Sequence, residues 1–254
     1  MTKTKPRLVT FGISHYCEKA RWALDWHGID YEEVSWAPGL HQIFAKRCGA
    51  EGTALPILLL DESIIQGSDK IIDWADKNTP HKDRTLTHSD SRTIERRADD
   101  AMSVHIRRLS FARMLPQSAH LVKPAFLQHT TVPHRLAGSM MWPVAVRVMM
   151  RAYDVTTQAS AESRDRLNVE LDWVESMLSD GRRYLAGNSF SRADIAVATP
   201  LAHIARPAEH GRFYPMPLNE TLKDDYALWL DRPAISWVRD LYRTRKSMLE
   251  PVAA

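Results

Sequence analysis

The chain has 254 residues, of which 44% are hydrophobic and 26% are charged. This balance supports one large or two ordinary folded domains and argues against global disorder. The 34 basic and 31 acidic residues leave a net charge of only +3. That charge is weak evidence for nucleic-acid binding and is compatible with a small anionic ligand.

The two cysteines, Cys17 and Cys48, cannot build a disulfide framework, and no CxxC pair or Cys/His quartet suggests a zinc site. We therefore expect a reducing, cytoplasmic location and no metal. The N-terminal residues lack the apolar segment of a signal peptide. The apolar stretch 140–150 contains Arg147 and is flanked by further arginines, so it predicts a protein-facing helix and not a membrane span.

The first eighty residues alternate strand and helix signals. Residues 8–13 predict a buried strand, Ser14 an N-cap, and residues 15–27 a helix that Gly28 ends. Further strands are predicted at 31–36, 56–60 and 62–66, with a short helix at 43–47 and a helix capped by Ser68. This order predicts a four-stranded mixed sheet, in which the first two strands are parallel and the last two form a hairpin.

The rest of the chain is predicted to be helical. Residues 79–90 are polar, contain Pro80, and are typical of an interdomain linker. Helical spacing of apolar residues follows at 91–115, 163–178, 193–205 and 234–249. The segment 116–143 is less regular, and we interpret it as an insertion that roofs a pocket or extends a dimer contact. The predicted domains are an α/β domain at 1–78, a linker at 79–90 and an all-helical domain at 91–254.

Four strings of residues resemble the cytosolic glutathione transferases. They are Ser14–Cys17, Thr53–Pro56, Gln66–Asp69 and Tyr184–Ile195. The last contains an S-x-x-D capping box and is the most specific of the four, with a structural role. The resemblance implies a thioredoxin-like N-terminal domain that binds glutathione, followed by an all-α helical bundle. It implies glutathione as co-substrate and no other cofactor.

The first string resembles the catalytic turn of the serine-type members of this family, whose hydroxyl hydrogen-bonds the glutathione sulfur. An ordinary thiol has a pKa of about 8.5, so a hydroxyl donor and a helix N-terminus are needed to favour the thiolate at neutral pH. The resemblance therefore implies a catalytic role for Ser14, the alternative being a plain N-cap. Tyr16 is a second candidate donor. Cys17 is a third, although buried structural cysteine is the commoner state.

The second and third strings predict glutathione contacts. The resemblance implies a cis peptide bond before Pro56, with the backbone of Leu55 pairing with the cysteinyl part of glutathione like an added strand. It also implies that Gly67 and Ser68 receive the γ-glutamyl carboxylate at a helix N-terminus. Gly67 departs from the family pattern, which has an acid or an amide at this position.

The glycine end of glutathione and the second substrate have weaker signals. Ala54 stands where the family often has a basic residue, so His41 is the candidate contact there, the alternative being a solvated loop histidine. Met102, Phe111 and Met114 lie in the first helices of the predicted second domain. They suit an adaptable apolar pocket, and the alternative is that they are plain core.

The resemblance implies a transferase that conjugates the glutathione thiolate to a hydrophobic electrophile, as in detoxification. It also implies a homodimer, with no nucleic-acid partner and no membrane span. A glutathione-dependent isomerase or dehalogenase on the same fold is one alternative. A non-catalytic ligand-binding or interaction protein is another, because both Ala54 and Gly67 depart from the family pattern.

Overall fold

The computed structural model describes residues 4–81, 84–210 and 216–249. The chain divides into two compact units, one formed by Met1–Arg84 with Val122–Met149 and the other by Thr85–Leu121 with Met150–Ala254. The change of unit after Arg84 lies inside the predicted linker. Residues 122–149 group with the first unit, although the sequence analysis placed them in the helical domain.

The first unit is built on a four-stranded sheet of order β2-β1-β3-β4. Its elements up to residue 78 are β1 Arg7–Thr10, α1 His15–Trp26, β2 Glu32–Ser35, α2 Leu40–Arg47, β3 Ile57–Leu59, β4 Ile64–Gln66 and α3 Ser68–Asn78. Strand β1 pairs in parallel with β2 and antiparallel with β3, and β3 pairs antiparallel with β4. The predicted four-stranded mixed sheet, the parallel first pair and the hairpin of the last two strands are confirmed, although α2 begins at Leu40 and not at residue 43.

Successive residues of each central strand point to opposite faces, and the sheet therefore separates two apolar layers. One layer contains Leu8, Ala20, Leu24, Leu58, Ile71 and Ala75. The other contains Val9, Cys17, Ala45, Leu55 and Ile57. Neighbours in β1 and in β3 belong to different layers, which fixes the register of both strands and the direction in which the chain leaves β1.

The remaining elements are helical within the described ranges. They are α4 Ser91–Arg97, a π-helical turn Ala98–Met102, α5 Ser103–Leu127, α6 Val132–Ala152, α7 Thr157–Leu178, α8 Arg192–Ala205, a 3-10 turn Ala208–His210, α9 Glu220–Ala227 and α10 Pro233–Leu249. Helix α9 was not predicted. None of the helices in these ranges is long and apolar enough to cross a bilayer.

The segment that we predicted to be an irregular insertion is mostly helix. Helix α5 continues to Leu127, and α6 occupies most of the remainder. The backbone leaves helical values inside α5 at Ser118 (φ −126°, ψ 23°), two residues after Pro116.

Helix α8 is the central buried helix of the second unit, and His203 is its one residue that is not fully buried. The predicted capping box at its N-terminus is confirmed. The Asp194 carboxylate accepts hydrogen bonds of 2.8 Å from the amides of Leu185 and Ser191 and from the Ser191 hydroxyl. Beside it, the fully buried Arg192 pairs with Glu95.

Within the first unit, helix α6 approaches the loop after β2 closely at Gly138. A Cβ atom at this position would lie 2.6 Å from the Cβ atom of Ala37 and 2.8 Å from Cδ2 of Leu127. Glycine therefore permits the contact between α6 and the loop after β2. Residues 140–150 are helical and bury Trp142 as predicted for a protein-facing helix, while the opposite face of α6 is exposed.

We expect Asp194→Asn to destabilise the second unit by about 2–3 kcal/mol, because an amide cannot accept all three hydrogen bonds that the carboxylate accepts. Urea denaturation measures the loss. Asp180→Asn is the matched control, since Asp180 is exposed and pairs with Arg182 at the surface. Equal stability of the two variants would contradict the structural role of the capping box.

We expect Gly138→Ala to lower the free energy of unfolding by about 1–3 kcal/mol, because the added methyl group meets the side chain of Ala37 inside a packed contact. Gly52→Ala is the control. A Cβ at position 52 has only the Gln66 amide nitrogen nearby, at 3.9 Å, so this change should cost little. Thermal unfolding of the two variants separates a packing effect from a general effect of replacing glycine.

Candidate functional site

The turn between β1 and α1 carries Ser14. Its backbone is extended (φ −73°, ψ 122°), and its Oγ accepts a 3.3 Å hydrogen bond from the Cys17 amide. The predicted N-cap is therefore confirmed. Because the oxygen acts as acceptor in this bond, the hydroxyl proton can be donated to another group. A ligand anion at this helix end would meet both that proton and the partial positive charge of the α1 N-terminus.

Cys17 lies in the same turn but is fully buried. Its sulfur accepts a hydrogen bond from the Phe11 amide at 3.4 Å. Burial raises the pKa of the Cys17 thiol above its ordinary value, although the Arg21 charge and a hydrogen bond with Ser14 act in the opposite direction. Cys17 is thus a protonated core residue and a poor nucleophile.

Tyr16 is the second residue of α1 and is half-buried. Its ring centroid lies 4.3 Å from that of His15, whose side chain is buried. The structure therefore brings the three predicted thiolate contacts, at positions 14, 16 and 17, to one helical turn. They differ in access, because Ser14 and Tyr16 are part-exposed and Cys17 is not.

A buried ionic network behind this turn was not predicted. The Arg21 guanidinium donates to Glu33 at 2.8 Å, to Glu18 at 3.1 Å and to the Phe11 carbonyl oxygen at 2.9 Å. Thr10 donates to the same Glu33 carboxylate at 2.6 Å. These bonds tie α1, β2 and the end of β1 together. The sequence signal that could have indicated part of this network is the spacing of Glu18 and Arg21, which are three residues apart on one helix.

The predicted cis peptide bond between Leu55 and Pro56 is confirmed. The loop before it is held by Gln66, whose side-chain nitrogen donates to the carbonyl oxygens of Ala54 at 2.8 Å and Gly52 at 2.9 Å. The Gln66 side-chain oxygen accepts from the Gly52 amide at 3.0 Å. Gln66 therefore fixes the approach to Leu55, a role that the sequence analysis did not assign.

The cap of α3 differs from the prediction. Gly67 is the N-cap residue, and Ser68 is the buried first residue of the helix without a side-chain capping bond. Gly67 has φ +104°, and a Cβ atom there would lie 2.8 Å from Oδ1 of Asp69. The left-handed backbone favours glycine at this position, which accounts for its departure from the expected acid or amide.

His41 lies in the first turn of α2. Its Nδ1 accepts a hydrogen bond from the Gly39 amide at 3.1 Å, and its ring contacts the Phe11 ring edge-on at 4.6 Å. Burial lowers the pKa of His41 to about 4, against a weaker opposing hydrogen bond with the Ala37 backbone. The imidazole is therefore neutral at neutral pH and brings no positive charge to the site.

Aromatic rings extend from the turn across the first unit. We call them the aromatic cluster: Phe11, Trp36, His41, Phe44, Phe126, His134 and Trp142. The contacting rings form two groups: Phe11, His41, Phe126 and Trp142, with centroids 4.6–5.8 Å apart, and Trp36, Phe44 and His134, with centroids 4.4–4.6 Å apart. Buried nitrogens of Trp36, His134 and Trp142 have no hydrogen-bond partner among the described residues. The cluster therefore combines ring faces with buried polar nitrogens that the described residues leave unsatisfied.

The three residues predicted for the second-substrate pocket lie in the other unit. Met102 and Met114 are buried, and the Met114 sulfur accepts a hydrogen bond from the Asn219 amide at 3.5 Å. Phe111 is half-buried, with its ring 5.4 Å from that of Tyr153. The burial of the two methionines favours the alternative that they are core residues.

Metal chemistry has no visible ligand set in the described ranges. No group of three or more His, Cys, Asp or Glu residues there could hold a metal ion.

Comparisons with known proteins agree with this geometry. Residues 8–83 match a model of the glutathione S-transferase N-terminal domain, and residues 139–210 match a model of the glutathione S-transferase C-terminal domain. Together the two matches span more than half of the chain. They confirm the predicted fold class, a thioredoxin-like α/β domain followed by an all-helical domain. No curated protein matched the sequence.

Three solved structures illustrate the similarity of fold. A glutathione S-transferase of Ceriporiopsis subvermispora in complex with glutathione has a TM-score of 0.63 and 16% identity, covering 98% of this chain and 100% of its own. Glutathione transferase GSTFuA3 of Phanerochaete chrysosporium has a TM-score of 0.61 and 12% identity, with both chains covered completely. Beta-etherase LigF of Sphingobium sp. strain SYK-6 has a TM-score of 0.59 and 19% identity, covering 93% and 99%.

Proposed function

Because the chain belongs to the glutathione S-transferase superfamily, we propose that it binds glutathione in its first unit and transfers it to a hydrophobic electrophile. The observation that carries this proposal is the part-exposed Ser14 hydroxyl at the N-terminus of α1. Its oxygen accepts from the Cys17 amide, and its proton, which the Cys17 sulfur also attracts, can turn to the thiolate of a ligand.

In this mechanism Ser14 stabilises the glutathione thiolate. A donated hydrogen bond and the helix N-terminus both favour the anion over the thiol. The thiolate attacks an electrophilic carbon, a carbon–sulfur bond forms, and the leaving group departs with its bonding electron pair. Catalysis then comes from activation of the nucleophile and from positioning of the two substrates.

The rest of glutathione is proposed to lie along the end of the sheet. The backbone of Leu55, fixed by the cis bond to Pro56 and by Gln66, pairs with the cysteinyl part. The γ-glutamyl carboxylate lies at Gly67 and Ser68, where the first amide of α3 at Ser68 presents its proton to an anion, while the Gly67 amide donates to the Pro56 carbonyl oxygen at 3.1 Å.

The second substrate is proposed to contact the aromatic cluster. Phe11 belongs to it and lies in the same turn as Ser14, with its carbonyl oxygen accepting from the Ser14 amide at 3.4 Å. Ring faces favour aromatic or conjugated electrophiles. One solved relative in fold is a beta-etherase, and cleavage of an aryl ether is within this substrate class.

One observation supports a binding protein without turnover as the second candidate. The neutral His41 and the small Ala54 leave the glycine carboxylate of glutathione without a cationic partner at the two positions considered. Weak retention on immobilised glutathione, together with no conjugation across a panel of aryl halides, epoxides and aryl ethers, would favour this candidate.

Family membership further supports a cytoplasmic homodimer active in detoxification, and sedimentation velocity tests the dimer.

We expect Ser14→Ala to reduce kcat about 10- to 100-fold while the Kd for glutathione changes little, since loss of the hydroxyl donor lets the pKa of the bound thiol return toward its ordinary value of about 8.5. The pH dependence of kcat and the ultraviolet absorbance of the bound thiolate measure the shift. Ser14→Thr keeps the hydroxyl and should retain most activity.

Two further variants distinguish the rival groups in the same turn. Tyr16→Phe and Cys17→Ala should both leave the pH profile of kcat in place. An unchanged pH profile in Ser14→Ala, or its displacement in Tyr16→Phe, would show that the thiolate contact has been assigned to the wrong residue.

A further inference from the structure

Helix α6 carries a ridge of exposed apolar side chains. Val132, Leu136, Met140, Val144 and Val148 recur at every fourth position and are 51–82% exposed. Each step of four residues advances about 40° around the axis of an α-helix, so the five side chains form one row about 24 Å long that winds about 160° around α6. We call this row the α6 ridge.

The α6 ridge is centred opposite the side of the helix that packs on the rest of the first unit. Gly138 and Trp142 are buried on the packed side. Scattered exposed apolar residues are ordinary on protein surfaces, but a continuous row of this length marks a surface that binds something.

The charged side chains of this region are all basic. Between Asp100 and Asp154 the sequence contains no Asp or Glu and seven Lys or Arg residues. Arg135, Arg147 and Arg151 lie on α6 itself, and all three are exposed. None of them forms an ion pair with any residue in the described part of the chain, so their charges are free to meet an external anion.

The position of these arginines selects the kind of occupant. By helical spacing, Arg147 and Arg151 lie at the C-terminal end of the α6 ridge. Viewed along the helix axis, they project between apolar side chains of the ridge. A twofold contact between two ridges would place these cations in an interface to which α6 contributes no acid. An anionic lipid surface offers an apolar environment to the ridge side chains and phosphate groups to the arginines.

We propose that the α6 ridge is a peripheral docking surface for anionic membranes. The apolar side chains of the ridge enter the headgroup region, and Arg147 and Arg151 contact lipid phosphates while their aliphatic stems remain among the apolar groups. The helix lies along the surface and does not cross it, in agreement with its length and composition. The proposal does not rest on glutathione binding.

Co-sedimentation of the full-length chain with large unilamellar vesicles tests it. We expect binding to vesicles of equimolar phosphatidylcholine and phosphatidylglycerol, little binding to phosphatidylcholine alone, and weaker binding as salt is raised. The double variant Leu136→Gln/Val144→Gln should lower the partition coefficient at least about tenfold, because two aliphatic side chains no longer enter the interface. Arg147→Gln/Arg151→Gln should lower it and flatten its salt dependence.

The matched control is the double variant Val169→Gln/Leu228→Gln, which replaces two side chains that are 52% and 62% exposed outside α6. It should bind vesicles like the unchanged chain, and circular dichroism establishes that all variants are folded. Equal binding to neutral and anionic vesicles, or an effect of the control as large as that of the ridge variant, would refute the proposal. The proposal would also be refuted if the chain did not bind vesicles but self-associated in sedimentation velocity, and the ridge variant abolished that self-association.

Discussion

The buried guanidinium of Arg21 determines where the turn after β1 can lie. It contacts two carboxylates, Glu18 and Glu33, and the carbonyl oxygen of Phe11, and the side chains of both ionic partners are largely shielded from water. Removing one member of such a network leaves an uncompensated buried charge, at a cost of about 3–5 kcal/mol. The buried charges of Arg21 and its two partners therefore set the position of Ser14, although they lie beneath the surface that a ligand would contact.

The same turn is confined from its other side by the end of α5. A Cβ atom at Gly12 would lie 2.9 Å from the Ala125 carbonyl oxygen and 2.9 Å from the Gln128 side chain. Because β1 and β2 are parallel, the loops that follow them lie at one edge of the sheet, and α6 closes on the second loop at Gly138. Two glycines thus allow helices to pack on both loops, so the candidate site has a rigid base.

Local signals predicted the parts of this arrangement that local chemistry specifies. The Ser14 cap, the hairpin and the capping box at Ser191 each depend on residues close in the chain, whereas the cis bond before Pro56 was implied by the family resemblance. The cap of α3 was misassigned because a serine next to a glycine resembles an N-cap, and the sequence does not reveal that Gly67 has a positive φ. The Arg21 network was missed because its second carboxylate comes from another element.

The error in the segment 116–143 has a different physical origin, which also explains the α6 ridge. Helix prediction depends on an apolar face alternating with a polar one, and α6 is apolar on both its packed and its exposed side. A side chain such as Met140, exposed in the folded chain as in the unfolded one, gains nothing from burial on folding. The requirements of the fold therefore explain Gly138 and Trp142 but not the α6 ridge. The pattern that concealed the helix is the one expected of a surface that is buried only when a partner covers it.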